Sequence, residues 1–126
     1  MIGRTKCGCG CGMDISPLIK TILEKIERQI IIETGQKFEI EITSGARCVK
    51  HNASVGGAKN SAHILGLACD VACINPAIRY LLKKILYGLG IRRIGDGYDK
   101  KKIIHFDIGA VKPDGQNYEQ NIEWSY

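Results

Sequence analysis

Apolar residues in this chain recur with two different periods, and the change of period separates helices from strands. Leu18, Ile19, Ile22, Leu23, Ile26 and Ile30 fall at the spacing that lines up one stripe on a helix. Ser16-Pro17 ahead of them supplies a capping hydroxyl and a proline for the first helical position, and Gly35 is a natural stop. An amphipathic helix is predicted between Pro17 and Gly35. A second stripe, Ile78, Leu81, Leu82, Ile85, Leu86 and Leu89, follows the cap Asn75-Pro76 and ends at Gly88 and Gly90.

Elsewhere the period drops to two. Phe38, Ile40 and Ile42 alternate with Glu39, Glu41 and Thr43, as a strand with one buried face requires. Leu67 to Ile74 is apolar enough to run into the core as another strand. Ile91–Ile94 and Ile103–Ile108 read as two short strands joined by a turn at Gly95-Asp96-Gly97. Residues 44–62 contain Gly45, Asn52, Gly56, Gly57 and Asn60 and read as one long loop, a length that often carries function in compact domains. Residues 111–126 show no assignable pattern. These elements make an α+β domain without internal repeats or low-complexity linkers.

Length and charge narrow the picture. A chain of 126 residues suits one domain, 1–126, with residues 1–12 as a Cys/Gly-rich lead-in. No apolar run approaches the ~20 residues of a membrane span. The N-terminus passes from Arg4 and Lys6 into Cys and Gly instead of an apolar stretch, so no secretory signal is visible. The net charge of +5 is densest at Arg92-Arg93 and Lys100-Lys101-Lys102, and such surfaces attract polyanions. With few aromatics and no nucleic-acid motif, an anionic cell-wall polymer fits as well as nucleic acid, beside the simpler reading of a solvated basic face.

Six cysteines add a question. Cys7, Cys9 and Cys11 alternate with glycine, Cys48 follows Arg47, and Cys69 and Cys73 lie beside Asp70. The spacing is not the C-x-x-C pair of a zinc ribbon. A second metal cluster, a disulfide such as Cys11 to Cys48, and unpaired thiols all remain open, with Cys69 and Cys73 read as small core residues.

The chemistry concentrates in Ser61 to Asp70 and in His105-Phe106-Asp107. Imidazole and carboxylate together suit zinc, and three protein ligands would leave a fourth position for water. His63 and Asp70 are seven residues apart, too far for either a strand or a helix to bring both heads onto one ion, so the chain must fold back near Gly66.

Ser44-Gly45-Ala46-Arg47, then Asn52, Gly56-Gly57, Ser61-x-His63-x-x-Gly66-x-Ala68-x-Asp70, and finally His105-x-Asp107 closely resemble the M15 family of zinc D-Ala-D-Ala carboxypeptidases and peptidoglycan endopeptidases, over roughly residues 13–110. The resemblance implies a small antiparallel sheet with flanking helices, like the hedgehog and DD-peptidase zinc domains. It implies His63, Asp70 and His105 as the ligands of Zn2+, about one per chain. It also puts Arg47 against the substrate, where a guanidinium pairs with a carbonyl or carboxylate and stabilises developing charge, with Ser61 beside it. His51 reads as a structural or surface residue. The expected partners are peptidoglycan peptides, with no nucleic acid and no membrane span, and the expected state is a monomer. A cell-wall substrate without a visible signal points to a phage or prophage protein released by a non-Sec route.

One position departs from the family. Several subfamilies carry an acidic general base three residues before the second histidine, where this chain has Lys102. Asp107 is the candidate for proton transfer, since on a strand it shares a face with His105; Asp96 and Asp99 compete with it. Asp107 could equally orient a ligand histidine or Arg47. The departure sustains an alternative, a non-catalytic zinc-bearing module that binds cell wall or a protein partner.

Overall fold

A computed structural model describes residues 1–126. In chain order the elements are β1 (Ile2–Gly3), α1 (Pro17–Thr34), β2 (Glu41–Ser44), α2 (Val49–Ser54), a 3-10 turn (Ala62–Leu65), β3 (Ala68–Ala72), α3 (Pro76–Gly88), β4 (Arg93–Gly97), α4 (Tyr98–Lys101), β5 (Ile103–Asp107) and β6 (Ile122–Ser125). Both long helices start where their caps predict. Ser16 Oγ accepts from the Ile19 N–H at the head of α1, and Asn75 Oδ1 accepts from the Ile78 N–H at the head of α3. Gly35 ends α1 in the left-handed conformation, its N–H donating to the Ile31 carbonyl.

The six strands form one sheet in the order β1-β2-β3-β5-β4-β6. The central pairs β2-β3, β3-β5 and β4-β5 are antiparallel, whereas β1-β2 and β4-β6 are parallel. The expected antiparallel sheet is therefore corrected to a mixed one. The parallel pairs are the outermost, made by segments close to the two chain ends. Each reaches its edge through a long connection, so no hairpin dictates its direction, and either direction covers the open edge.

Strand alternation gives the sheet two unlike faces. On one, Ile42, Val71, Ile94, Ile104 and Phe106 pack under Ile19, Leu23, Ile26 and Ile30 of α1 and Leu82 and Leu86 of α3. The other face carries Asp70, His105 and Asp107. No helix is long and apolar enough to cross a membrane.

Three expectations change. Gly95-Asp96-Gly97 is not a turn but lies within β4, with Gly95 opposite His105 and Asp96 opposite Ile104; the reversal is made by α4 and by Lys102 at φ 54°. Glycine at 95 answers a packing need, because a Cβ there would lie 2.8 Å from the Trp124 indole. Residues 44–62 are not continuous loop, since Cys48 Sγ accepts from the His51 N–H and caps the six-residue helix α2. Residues 111–126, unassigned from sequence, end in β6.

Candidate metal centre and cleft

One row of residues crosses the polar face of the sheet: Ser44 opposite Asp70, Asp70 opposite His105, His105 opposite Gly95, and Gly95 opposite Trp124. Strand register alone thus brings together Asp70 and His105, which are 35 residues apart. His63 arrives from the 3-10 turn, which Ser61 Oγ caps by accepting from the His63 N–H at 3.2 Å. Gly66 closes that turn at φ 70°, so the chain folds back and His63 overlies the strand that carries Asp70.

His63 Nε2 lies 3.3 Å, and His105 Nδ1 2.8 Å, from the same Asp70 oxygen. Donor atoms from the three residues all fall within 4.8 Å of one another. The remaining ring nitrogens are tied down. His63 Nδ1 is 2.6 Å from the Gly45 carbonyl oxygen, and His105 Nε2 is 2.8 Å from Asp107 Oδ2. A carbonyl and a carboxylate only accept, so His63 Nδ1 and His105 Nε2 donate; His105 Nδ1 also faces a carboxylate, and as an imidazolium it donates to Asp70. A metal ion would take the place of that second proton, with His63 Nε2, His105 Nδ1 and Asp70 Oδ1 all turned toward it. The donor set therefore fits a metal ion, and its imidazole and carboxylate chemistry fits zinc.

The local field favours positive charge beside these carboxylates. Burial disfavours a charged His105, but its hydrogen bonds to Asp107 and Asp70 outweigh that cost and raise its pKa. Burial likewise opposes ionisation of Asp70, yet His105 and His63 hold its pKa well below the usual carboxylate range.

Asp107 sits on the far side of the His105 ring from Asp70. Its Oδ2 accepts from His105, while Oδ1 accepts from Arg93 Nε at 2.6 Å and from the Gly109 N–H at 3.0 Å. Asp96 points into the opposite face, accepting from Arg79 Nη2 at 2.6 Å and Lys83 Nζ at 3.1 Å. Asp99 is exposed on α4 and does not line the cleft, and Lys102 places its ammonium 3.9 Å from the centre of the Tyr98 ring. Asp70 and Asp107 are the only carboxylates that line the cleft.

Arg47 is half-buried, and its N–H donates to the His63 carbonyl at 3.0 Å, which joins the two segments. Its buried Nε has no hydrogen-bond partner. Burial lowers the Arg47 pKa, and the charge of Asp70 is the first of those that oppose the shift. Arg47 does not line the cleft that holds His63, Asp70 and His105; it faces the adjoining groove with Arg4, Ser44 and His51, and reaches the cluster through its charge. Asn52 and Gly57 frame the loop beside it. Asn52 Nδ2 donates to the Ala58 carbonyl, and a Cβ at Gly57 would lie 2.1 Å from Asn52 Oδ1.

The cluster of His63, Asp70 and His105 opens into a cleft of about 400 Å³, into which Ser61, Lys101, Tyr118, Trp124 and Tyr126 also face. The Trp124 ring stands 5.3 Å from the His105 ring, and the Arg93 guanidinium lies between Tyr118 and Trp124, at 4.6 and 5.2 Å. Burial, then the charge of Asp70, pushes the Tyr126 phenol up to about 12, so it is an O–H donor at neutral pH. Sequence reasoning missed Lys101, Tyr118, Trp124 and Tyr126. Their signal was the clustering of three aromatics within 118–126 of a chain with few others.

Searches of curated proteins and of solved structures give no match. A family model described as Peptidase M15 matches residues 5–107, a span that holds Arg47, all three candidate ligands and Asp107. The chain belongs to the M15 peptidase family.

Proposed function

We propose that this chain is a zinc metallopeptidase that hydrolyses peptide bonds in bacterial peptidoglycan, in stem peptides or in their cross-links, as a D-Ala-D-Ala carboxypeptidase or an endopeptidase. One observation carries the reading: His63 Nε2, His105 Nδ1 and Asp70 Oδ1 converge on one point beside an open cleft, with the far nitrogen of each ring held by Gly45 or Asp107. His63, Asp70 and His105 would hold the ion. An ion held by these three ligands would supply Lewis-acid polarisation of the carbonyl and would lower the pKa of a bound water.

The chain's own residues divide the remaining work. Arg47, whose charge is felt at Asp70, would pair with a substrate carbonyl or terminal carboxylate that reaches past the cluster. Asp107 holds the His105 ring and its tautomer; with both oxygens engaged, its contacts support orientation over proton transfer. Trp124 covers His105, while the Tyr126 hydroxyl and the Lys101 ammonium present donors at the cleft wall. The protein acts on the cell wall as a monomer.

A second reading rests on a specific observation. Both carboxylates in the cleft are engaged, and Lys102 occupies the position of the expected acid with its side chain on Tyr98. The alternative is a zinc-containing module that binds cell wall or a protein partner without cleaving it. Digestion of purified peptidoglycan by the zinc-loaded protein, with fragments read by mass spectrometry, separates the two. Loss of terminal D-Ala indicates a carboxypeptidase and resolved cross-links an endopeptidase. Tight sedimentation with unaltered peptidoglycan supports the binding module.

A further inference from the structure

Away from the cleft, the segment that follows β1, residues 4–12, forms a loop around four sulfurs. Cys7, Cys9 and Cys11 come from the loop itself, and Cys48 comes from the head of α2. The Sγ atoms of Cys7 and Cys9 are 3.4 Å apart, those of Cys7 and Cys48 3.7 Å, and those of Cys9 and Cys48 3.6 Å. The Cys11 sulfur lies within 4.8 Å of the other three. Four thiolates around one zinc, each at ~2.3 Å, define a tetrahedron with edges of about 3.8 Å. The observed separations match that figure and are far from the ~2.05 Å of a disulfide.

Hydrophobic packing does not explain the convergence. Cys9 and Cys11 are exposed and only Cys7 is buried, whereas Cys69 and Cys73 sit at 0% exposure in the main core, as their apolar neighbours predicted. The backbone is arranged for the sulfurs. Gly10 and Gly12 take φ of 82° and 89°, which wraps the alternating Cys-Gly run into a tight loop, and the Gly10 N–H donates to the Cys7 carbonyl. The Cys48 N–H donates to Cys7 Sγ at 3.3 Å and the His51 N–H to Cys48 Sγ at 3.4 Å, contacts that stabilise negative sulfur. Arg4 and Lys6 lie beside Cys7, and the Arg47 guanidinium is within its electrostatic reach, so cations surround a centre that would carry a charge of −2.

We propose that Cys7, Cys9, Cys11 and Cys48 hold a second zinc ion in a closed, structural tetrathiolate site. Four protein ligands leave no open position, so this site has no catalytic role of its own. Its work is to fasten the N-terminal segment, already bonded through Thr5 O to the Ala46 N–H, to the head of α2 immediately after Arg47. The site thereby helps to fix the residue offered to substrate. Binding displaces the thiol protons and raises the expected content from one zinc per chain to two.

The proposal is independent of the peptidase reading, and its test does not use activity. The full chain, purified under reducing conditions with zinc present, is analysed for metal and for thiols open to alkylation. Expected are about two zincs per chain, with the four clustered cysteines protected from alkylation until a strong chelator is added. Cys9→Ser and Cys11→Ser should each lose one zinc and keep the other, and His63→Ala should do the converse. Cobalt substituted for zinc should show intense near-ultraviolet thiolate-to-metal bands in the intact protein, a readout that stands even if a cysteine variant fails to fold. One zinc per chain that disappears in His63→Ala, four readily alkylated thiols, or a cobalt spectrum without thiolate bands would each overturn it.

Discussion

Replacing Asp107 by Asn preserves shape and removes charge at a residue 2% exposed, so its consequence can be worked from three contacts. Oδ1 serves two donors, Arg93 Nε and the Gly109 N–H, and Oδ2 serves one, His105 Nε2. The amide oxygen of Asn will stay with the pair of donors, which leaves its NH2 facing the His105 N–H. Two donors cannot face each other, so His105 shifts its proton to Nδ1 and loses the lone pair aimed at Asp70. Loss of such a supporting partner weakens metal binding by roughly 10- to 100-fold, about 1.4 to 2.8 kcal/mol. Titration of the apoprotein against a chromogenic zinc chelator measures that change, and far-ultraviolet circular dichroism confirms the fold. An unchanged zinc affinity accompanied by a loss of hydrolysis of roughly 100-fold or more would refute the reasoning and make Asp107 the proton-transfer group.

Arg47→Ala should retain zinc and fold while slowing turnover by roughly 100-fold, through loss of a cation that stabilises developing charge; unchanged kcat on a stem-peptide substrate would remove Arg47 from the site. Gly95→Ala inserts a Cβ 2.8 Å from the Trp124 indole, so urea unfolding followed by tryptophan fluorescence should show about 1 to 3 kcal/mol of destabilisation and an altered native emission. Asp96 predicts a pH effect. Burial opposes its ionisation, but Arg79, the Tyr98 N–H and Lys83 hold its pKa below the ordinary 3.8. Its stabilisation is therefore complete above that unfolded value and is lost as pH falls through the depressed one. Asp96→Asn should cost about 1 to 2 kcal/mol at neutral pH, discounted for the partly exposed Arg79, and the gap between wild type and variant should narrow below about pH 3.8 in urea titrations.

The helices were legible because each carries its own instructions: Ser16-Pro17 and Asn75-Pro76 cap locally, and a stripe of Ile and Leu needs no distant partner to be recognised. The site was legible as residue types, through the Ser61 to Asp70 string and His105, and the family resemblance supplied their grouping. What the chain does not display locally is register. That Asp70 lies opposite His105, that Gly95 leaves room for Trp124, and that Cys48 joins Cys7, Cys9 and Cys11 all depend on pairings between distant segments. Gly95-Asp96-Gly97 misled for the same reason, since Gly95 answers Trp124 of β6 and Gly97 answers Ile103 and Tyr126 instead of a turn. The edge strands were missed because β1 spans only two residues and β6 alternates without a strongly buried face.

The central claim is that one ion is held by His63 Nε2, Asp70 Oδ1 and His105 Nδ1, with the opposite ring nitrogens bonded to Gly45 and Asp107. Anomalous diffraction at the zinc edge, from crystals of the zinc-loaded protein, tests it most directly. The account predicts a peak within about 2.0 to 2.2 Å of all three atoms. A peak bonded instead to His63 Nδ1 or His105 Nε2, or no peak on this face of the sheet, would contradict it.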